Sequence, residues 1–147
     1  MDLDEIDIKI IRLLQKNCRV KLSEIAEEIG KNVAATRYRI LRLFSKGIIR
    51  CKAIMDPEKL GYVYDVVIMA RVEPGKLGDL ESFIKEKKEI LFAYAITGVY
   101  DICIIAVFKD EKHYLNFIDE LHATKCVAET TSFVIIKKIK EQYSISI

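Results

Sequence analysis

Tryptophan is absent from this 147-residue chain, and histidine and proline occur twice each. The four cysteines, Cys18, Cys51, Cys103 and Cys126, are scattered, with no CxxC pair and no histidine at ligand spacing. That spread argues against a zinc site and against a disulfide framework, and makes buried thiols in a reducing compartment the expectation. No apolar run approaches the ~20 residues that a membrane span requires. The opening MDLDEIDIK is acidic and lacks the apolar stretch of a secretory signal. A cytoplasmic protein that engages no membrane is expected. Low-complexity tracts and solenoid-type repeats are missing. So are a nucleophile–base set and a glycine-rich phosphate loop, and no catalytic residue, cofactor or metal is assigned.

The most informative absence concerns charge of one sign. From Lys31 to Lys52 there is no aspartate or glutamate, against seven basic residues: Lys31, Arg37, Arg39, Arg42, Lys46, Arg50 and Lys52. The whole-chain net charge of +2 conceals this. Residues 1–60 carry thirteen basic and nine acidic side chains, whereas residues 61–147 carry eleven and thirteen. Such asymmetry suggests an anion-binding N-terminal module joined to a part with another task. With 51% hydrophobic residues the chain can bury a proper core. A boundary near residue 60 gives two domains, 1–60 and 61–147.

What is present has helical rhythm first. Asp2 or Asp4 can cap a helix whose Leu3, Ile6, Ile10, Leu13 and Leu14 form one apolar face through about Gln15. Ser23 is an N-cap candidate for a second helix, with Ile25, Ala26 and Ile29 inward and Gly30 ending it. Asn32 can cap a third, which runs to about Lys46 and stops at Gly47. At ~100° per residue, Val33, Thr36, Ile40, Leu43 and Phe44 fall on its core side. Ile48–Met55 is β-branched and partly alternating, so a strand, the wing of a winged helix-turn-helix, is expected there. Beyond residue 61 the pattern predicts strands over 62–72, 90–97, 102–108 and 127–139, with helices over 77–88 and 112–122. Strand, helix, strand, strand, helix, strand is a ferredoxin-like βαββαβ order, and the fold class is α+β.

A helix-turn-helix needs a small residue at its crossing, a glycine in its turn and an apolar inner face on its second helix. Ala26, Gly30, Thr36 and Ile40 meet those needs. If the second helix enters a major groove by its N-terminal end, Val33, Ala34 and Tyr38 are placed to read bases, with Asn32 at the cap and Arg37 in reach. Arg39, Arg42 and Lys46 then suit phosphates. The competing interpretation is a solvated basic face. The runs Val66–Ala70 and Ile102–Phe108 are too apolar for a four-stranded sheet with one bare face, so face-to-face pairing in a homodimer is expected.

The motifs together resemble the Lrp/AsnC (leucine-responsive regulator, feast/famine) family of transcription factors over essentially the whole chain. LDEIDIKIIRLLQKNCR is similar to the family's first helix. Arg39, Ile40, Leu43, Gly47, Ile48 and Ile49 resemble its recognition-helix signature. Asp56, Pro57, Leu60 and Gly61 match a D-P-x-x-L-G element, and Thr97–Asp101 (TGVYD) matches a T-G-x-Y-D loop. Departures are Gly30-Lys31-Asn32 where G-L-S is usual, and Leu41 and Phe44 where charged residues are usual. The resemblance implies a sequence-specific regulator of double-stranded DNA that dimerises, and assembles further, through its C-terminal domain. It also implies an amino-acid effector held near Thr97, Gly98, Tyr100 and Asp101, although a plain hairpin turn at a subunit contact would look the same. An alternative is a haem-precursor decarboxylase-like enzyme on the same scaffold, for which His113 and His122 would be the candidate groups.

Overall fold

A computed structural model describes residues 3–145, and the chain divides into two compact units. One runs up to Ile54 and is completed by the segment from Glu141 onward; the other spans Met55–Lys140.

In the first unit α1 is Glu5–Lys16, α2 is Leu22–Glu28 and α3 is Val33–Ser45. Asp4 caps α1, its carboxylate accepting the Asp7 N–H at 2.8 Å. Asp2, the other cap candidate, lies outside the described residues. Ser23 is not a cap: α2 begins a residue earlier, after Lys21, whose carbonyl accepts the first helical bond from Ile25. That register turns Ile25 and Ala26 into the interior. At the end of α2, Gly30 takes φ +64°, a left-handed angle that suits glycine, and the Lys31 N–H returns to the Ala26 carbonyl. Asn32 caps α3, its side-chain oxygen accepting from Ala35 N–H at 2.7 Å. The Ile48 N–H closes α3 on the Leu43 carbonyl. Ile10, Ile11, Ile25, Ile29 and Leu43 form the buried centre shared by the three helices.

Four expectations for this unit need correction. Ile48–Met55 forms no strand, because no neighbouring segment offers it a ladder among the described residues, and the helix-turn-helix therefore has no wing strand. Val33 and Phe44, placed on the core side by angle, are 49% and 36% exposed. Helical periodicity fixes the direction of a side chain, not whether another element covers it. Cys18 and Cys51 are not buried thiols: both are exposed and joined in a disulfide, with Cα atoms 6.1 Å apart. Their separation of 33 residues carries no local spacing signal. Cys126 is a buried free thiol and Cys103 a half-buried one.

The second unit contains β1 (Tyr64–Val72), α4 (Leu77–Glu86), β2 (Ile90–Ala95), β3 (Ile102–Phe108), α5 (Glu111–Ala123) and β4 (Val127–Val134). The strands form one antiparallel sheet in the order β2-β3-β1-β4. This is the ferredoxin-like arrangement expected from the element order. Val66, Ile68 and Ala70 of β1 and Ile102, Ile104, Ala106 and Phe108 of β3 pack against Leu80 of α4 and Phe117 and Leu121 of α5. β4 stops at Val134, opposite Val66 of β1, and not at Ile139; one further backbone bond follows, from the Ile135 N–H to the Asp65 carbonyl at 2.9 Å. The tail is instead held by the Lys138 ammonium, 2.7 Å from the buried Asp65 carboxylate.

The period-2 alternation leaves the opposite sheet face without helices. It carries Val67 and Met69 of β1, Cys103 and Ile105 of β3, Phe92 and Tyr94 of β2, and Phe133 of β4. The Phe92 and Tyr94 rings lie parallel, 6.2 Å apart. Tyr94 and Phe133 are each more than half exposed. Among the described residues no helix is long and apolar enough to cross a membrane.

Candidate nucleic-acid interface and effector loop

The outward stripe of α3 is set by helical spacing. Ala34, Arg37, Tyr38, Leu41 and Ser45 recur three or four apart and all are exposed, Tyr38 by 70%. Opposite them Thr36 and Leu43 are fully buried, with the Thr36 hydroxyl returned to the Asn32 carbonyl at 2.9 Å. Val33 stands exposed in the first turn beside the cap residue Asn32, and Lys31, Lys46, Arg50 and Lys52 are exposed cations around the stripe. Leu41 was not among the candidate base readers, yet it sits one turn from Tyr38 and Arg37 and is 56% exposed. Its presence at an outward i, i+4 position, where a charged residue would be ordinary, was the available sequence signal.

Arg39 and Arg42 occupy a different environment. The Asp7 side chain, 1% exposed, accepts from the Arg39 guanidinium at 2.9 Å and from that of Arg42 at 2.5 Å. Arg39 also reaches Asp4 at 2.6 Å. The two arginines thus tie α3 to α1, which leaves them less charge to offer a phosphate. The acid-free run along the chain is therefore partly neutralised in space by acids from α1. The Asp7 N–H and then the Arg39 guanidinium hold the Asp4 carboxyl below its usual range, and Asp4 followed by Asp7 pushes the Arg39 guanidinium higher.

This arrangement has a sign. A carboxylate with a folded-state pKa depressed below 3.8 contributes stability that is complete above that value and is lost as pH falls through the lower folded value. Asp4→Asn is therefore expected to remove part of the acid-side dependence of helix content below about pH 4. Circular dichroism during acid titration of both proteins checks it, and identical acid limbs would contradict the role assigned to Asp4.

In the second unit the loop from Thr97 to Asp101 joins β2 to β3. Thr97, Gly98 and Asp101 are exposed, Tyr100 is half-buried, and Gly98 takes φ +122°, where a side chain would be strained. Asp101 is already used by the fold: its carboxylate accepts the Val72 N–H at 2.8 Å, and its own N–H donates to the Ala70 carbonyl at 2.9 Å. The Tyr100 hydroxyl lies 2.7 Å from the Thr131 hydroxyl on β4. The loop is thus fixed by three bonds, two to β1 and one to β4, none of which a local sequence pattern signals. His113 and His122 do not form a set: His113 meets Glu89 at 3.3 Å, whereas His122 meets Thr130 at 2.9 Å.

A helix-turn-helix unit with an exposed stripe flanked by basic residues, followed by a ferredoxin-like unit with an ordered β2–β3 loop, defines a two-domain α+β protein of the helix-turn-helix class. Comparison with known proteins narrows this. Residues 3–43 match the AsnC-type helix-turn-helix domain, and residues 65–145 match the Lrp/AsnC ligand binding domain. The chain belongs to the Lrp/AsnC family. The HTH-type transcriptional regulator FL11 of Pyrococcus horikoshii is 34% identical over 140 residues, covering 95% of this chain and 93% of that protein. The HTH-type transcriptional regulator Ptr1 of Methanocaldococcus jannaschii is 36% identical over 119 residues, 80% of each chain. Among solved structures, a Neisseria meningitidis transcriptional regulator in complex with L-Met has a TM-score of 0.93 at 26% identity, covering 98% of this chain and 96% of that one. LrpC of Bacillus subtilis has a TM-score of 0.87 at 26% identity, covering 97% and 100%.

Proposed function

We infer that this protein is a sequence-specific DNA-binding transcription regulator whose C-terminal unit takes a small-molecule effector. The observation that carries it is the exposed stripe Ala34, Arg37, Tyr38 and Leu41 on α3, ringed by Lys31, Lys46, Arg50 and Lys52, within a helix-turn-helix. In the major groove Val33, Ala34, Tyr38 and Leu41 offer apolar or hydroxyl contacts to base edges, and Arg37 suits a guanine. Asn32, whose side-chain oxygen is held by the Ala35 N–H, keeps its amide N–H groups for a phosphate at the start of α3. The outlying cations, with whatever charge Arg39 and Arg42 retain beyond Asp4 and Asp7, supply phosphate contacts.

Selection from random duplexes, repeated with a panel of amino acids, tests both halves of this reading. One enriched motif is expected, with affinity falling steeply as salt rises. Arg37→Ala and Tyr38→Ala should each weaken the selected site by roughly tenfold, from the ~1–3 kcal/mol that a base contact is worth. Neither should alter helix content, because both side chains point to solvent. Uniform recovery of all duplexes would sink sequence-specific binding.

The effector region is assigned to Thr97, Gly98, Tyr100 and Asp101. Support comes from the match of residues 65–145 to a ligand binding domain and from a relative solved with L-Met. Loop N–H groups suit a ligand carboxylate, and the second oxygen of Asp101 suits an ammonium. The open sheet face is assigned to a homodimer contact, with further assembly through the same unit. A cytoplasmic location accords with DNA as the partner.

A further inference from the structure

We propose that Cys18 and Cys51 form a reversible disulfide that sets the DNA affinity of the helix-turn-helix unit by tethering the basic segment after α3. The inference rests on the DNA-binding reading above. Cys18 lies in the turn between α1 and α2, a place made rigid by two local bonds. The Asn17 side chain accepts from Arg19 N–H at 2.9 Å, and the Asn17 carbonyl accepts from Val20 N–H at 3.1 Å. Cys51 lies in the opposite kind of segment: residues 49–56 carry no helix or strand. The Cα atoms are 6.1 Å apart, within the range a disulfide spans without moving the backbone. The bond therefore pins an irregular stretch to a fixed point.

That stretch is not neutral. Cys51 sits between Arg50 and Lys52, both exposed, which continue the charge begun by Lys46. With the bond closed, the two cations are held near one position before DNA arrives, and less chain entropy is lost on binding. With the bond open, the segment must be ordered by the DNA itself. Both cysteines are exposed, so a thiol or disulfide in solution can reach them, a condition that marks exchangeable disulfides and not inert structural ones.

The chemistry balances as thiol–disulfide exchange. One cysteine thiolate attacks a low-molecular-weight disulfide, forming a mixed disulfide and releasing one small thiolate. The second cysteine attacks the protein sulfur of that mixed bond and releases the other small thiol. The two protein thiols are oxidised by two electrons, and the small disulfide is reduced to two thiols. Excess small thiol reverses both steps.

The test uses the full chain equilibrated with glutathione or with glutathione disulfide, with maleimide trapping, peptide mapping and duplex-binding titration on each sample. With the trapping done in denaturant, so that the buried Cys126 and half-buried Cys103 also react, four thiols should be trapped in the reduced sample and two in the oxidised sample, with Cys18 and Cys51 in one linked peptide. Oxidised protein should bind the selected duplex about tenfold more tightly, the scale expected from ordering one or two residues in advance. Cys51→Ser should bind like the reduced protein under both conditions, and Cys18→Ser should do the same. A pair that does not link, or that stays linked in excess thiol on the native protein, overturns the inference. So does linkage with unchanged affinity. Absence of duplex binding in both redox states and in the serine variants would instead overturn the DNA-binding reading, and the regulation with it.

Discussion

Asp7→Ala is expected to unfold the helix-turn-helix unit under conditions that leave the C-terminal unit intact. The Asp7 carboxylate is fully buried and takes both guanidinium groups that α3 sends toward α1. Removing one side of a buried ion pair typically costs ~3–5 kcal/mol. Here the arginine side chains are 24% and 33% exposed, so water recovers part of that, and about 2–4 kcal/mol is the sensible expectation. A small unit has little more stability than this to lose. Chemical denaturation followed by helical circular dichroism should therefore show an early phase in the variant. The reciprocal change, Arg39→Ala with Arg42→Ala, leaves a buried carboxylate with no cation and should damage the same unit. Loss of DNA binding in that double variant would then report unfolding and not missing phosphate contacts, in contrast to Arg37→Ala or Tyr38→Ala. Replacing all three charges by apolar residues of similar size should recover much of the stability, because no uncompensated charge remains. A denaturation curve for Asp7→Ala that overlays the parent would defeat this account.

The second large effect is expected at Ile105→Lys. Ile105 lies opposite Val67 on β1 and Phe92 on β2, in the middle of the helix-free sheet face. If two such faces pair, the substitution places an ammonium in each half of an apolar contact with nothing to neutralise it. Removal of that charge from water costs several kcal/mol, equivalent to a roughly thousandfold loss of dimer affinity. Sedimentation at micromolar concentration should show a dimer for the parent and a monomer for the variant. The core cluster points the other way from the sheet, so the variant should keep its secondary structure. A variant that still sediments as a dimer would move the contact elsewhere on the molecule. DNA binding offers a second readout, since a dimeric helix-turn-helix protein gains its affinity from two half-sites at once.

Much of this molecule is legible in its sequence, and the reasons are local ones. Asn32 caps because its side chain can reach the N–H three residues on, and Gly30 turns because it tolerates a positive φ; both facts reside in a few adjacent residues. The βαββαβ order could be read because each element has its own periodicity. What was not legible depends on residues brought together from far apart. Arg39 and Arg42 look like free cations along the chain, and only the packing of α1 on α3 supplies Asp4 and Asp7, more than thirty positions away. Asp101 looks available to a ligand until β1 delivers the Val72 N–H to it. Ile48–Met55 has the composition of a strand, but a strand exists through its partner, which composition does not name.

The segment from Glu141 belongs to the same unit as α1, and the Gln15 side-chain amide donates to the Ile145 carbonyl at 2.6 Å. The helical unit is therefore discontinuous in sequence, and the ferredoxin-like unit is an insertion in it, entered and left at 54–55 and 140–141. A fragment ending near residue 60 omits one of its parts, and should be less stable than the same helices in the full chain. A single protease cut between residues 55 and 63 leaves α1–α3 without a covalent link to the rest of the chain, held only by non-covalent contacts with the segment after residue 141, such as that of Gln15 with Ile145.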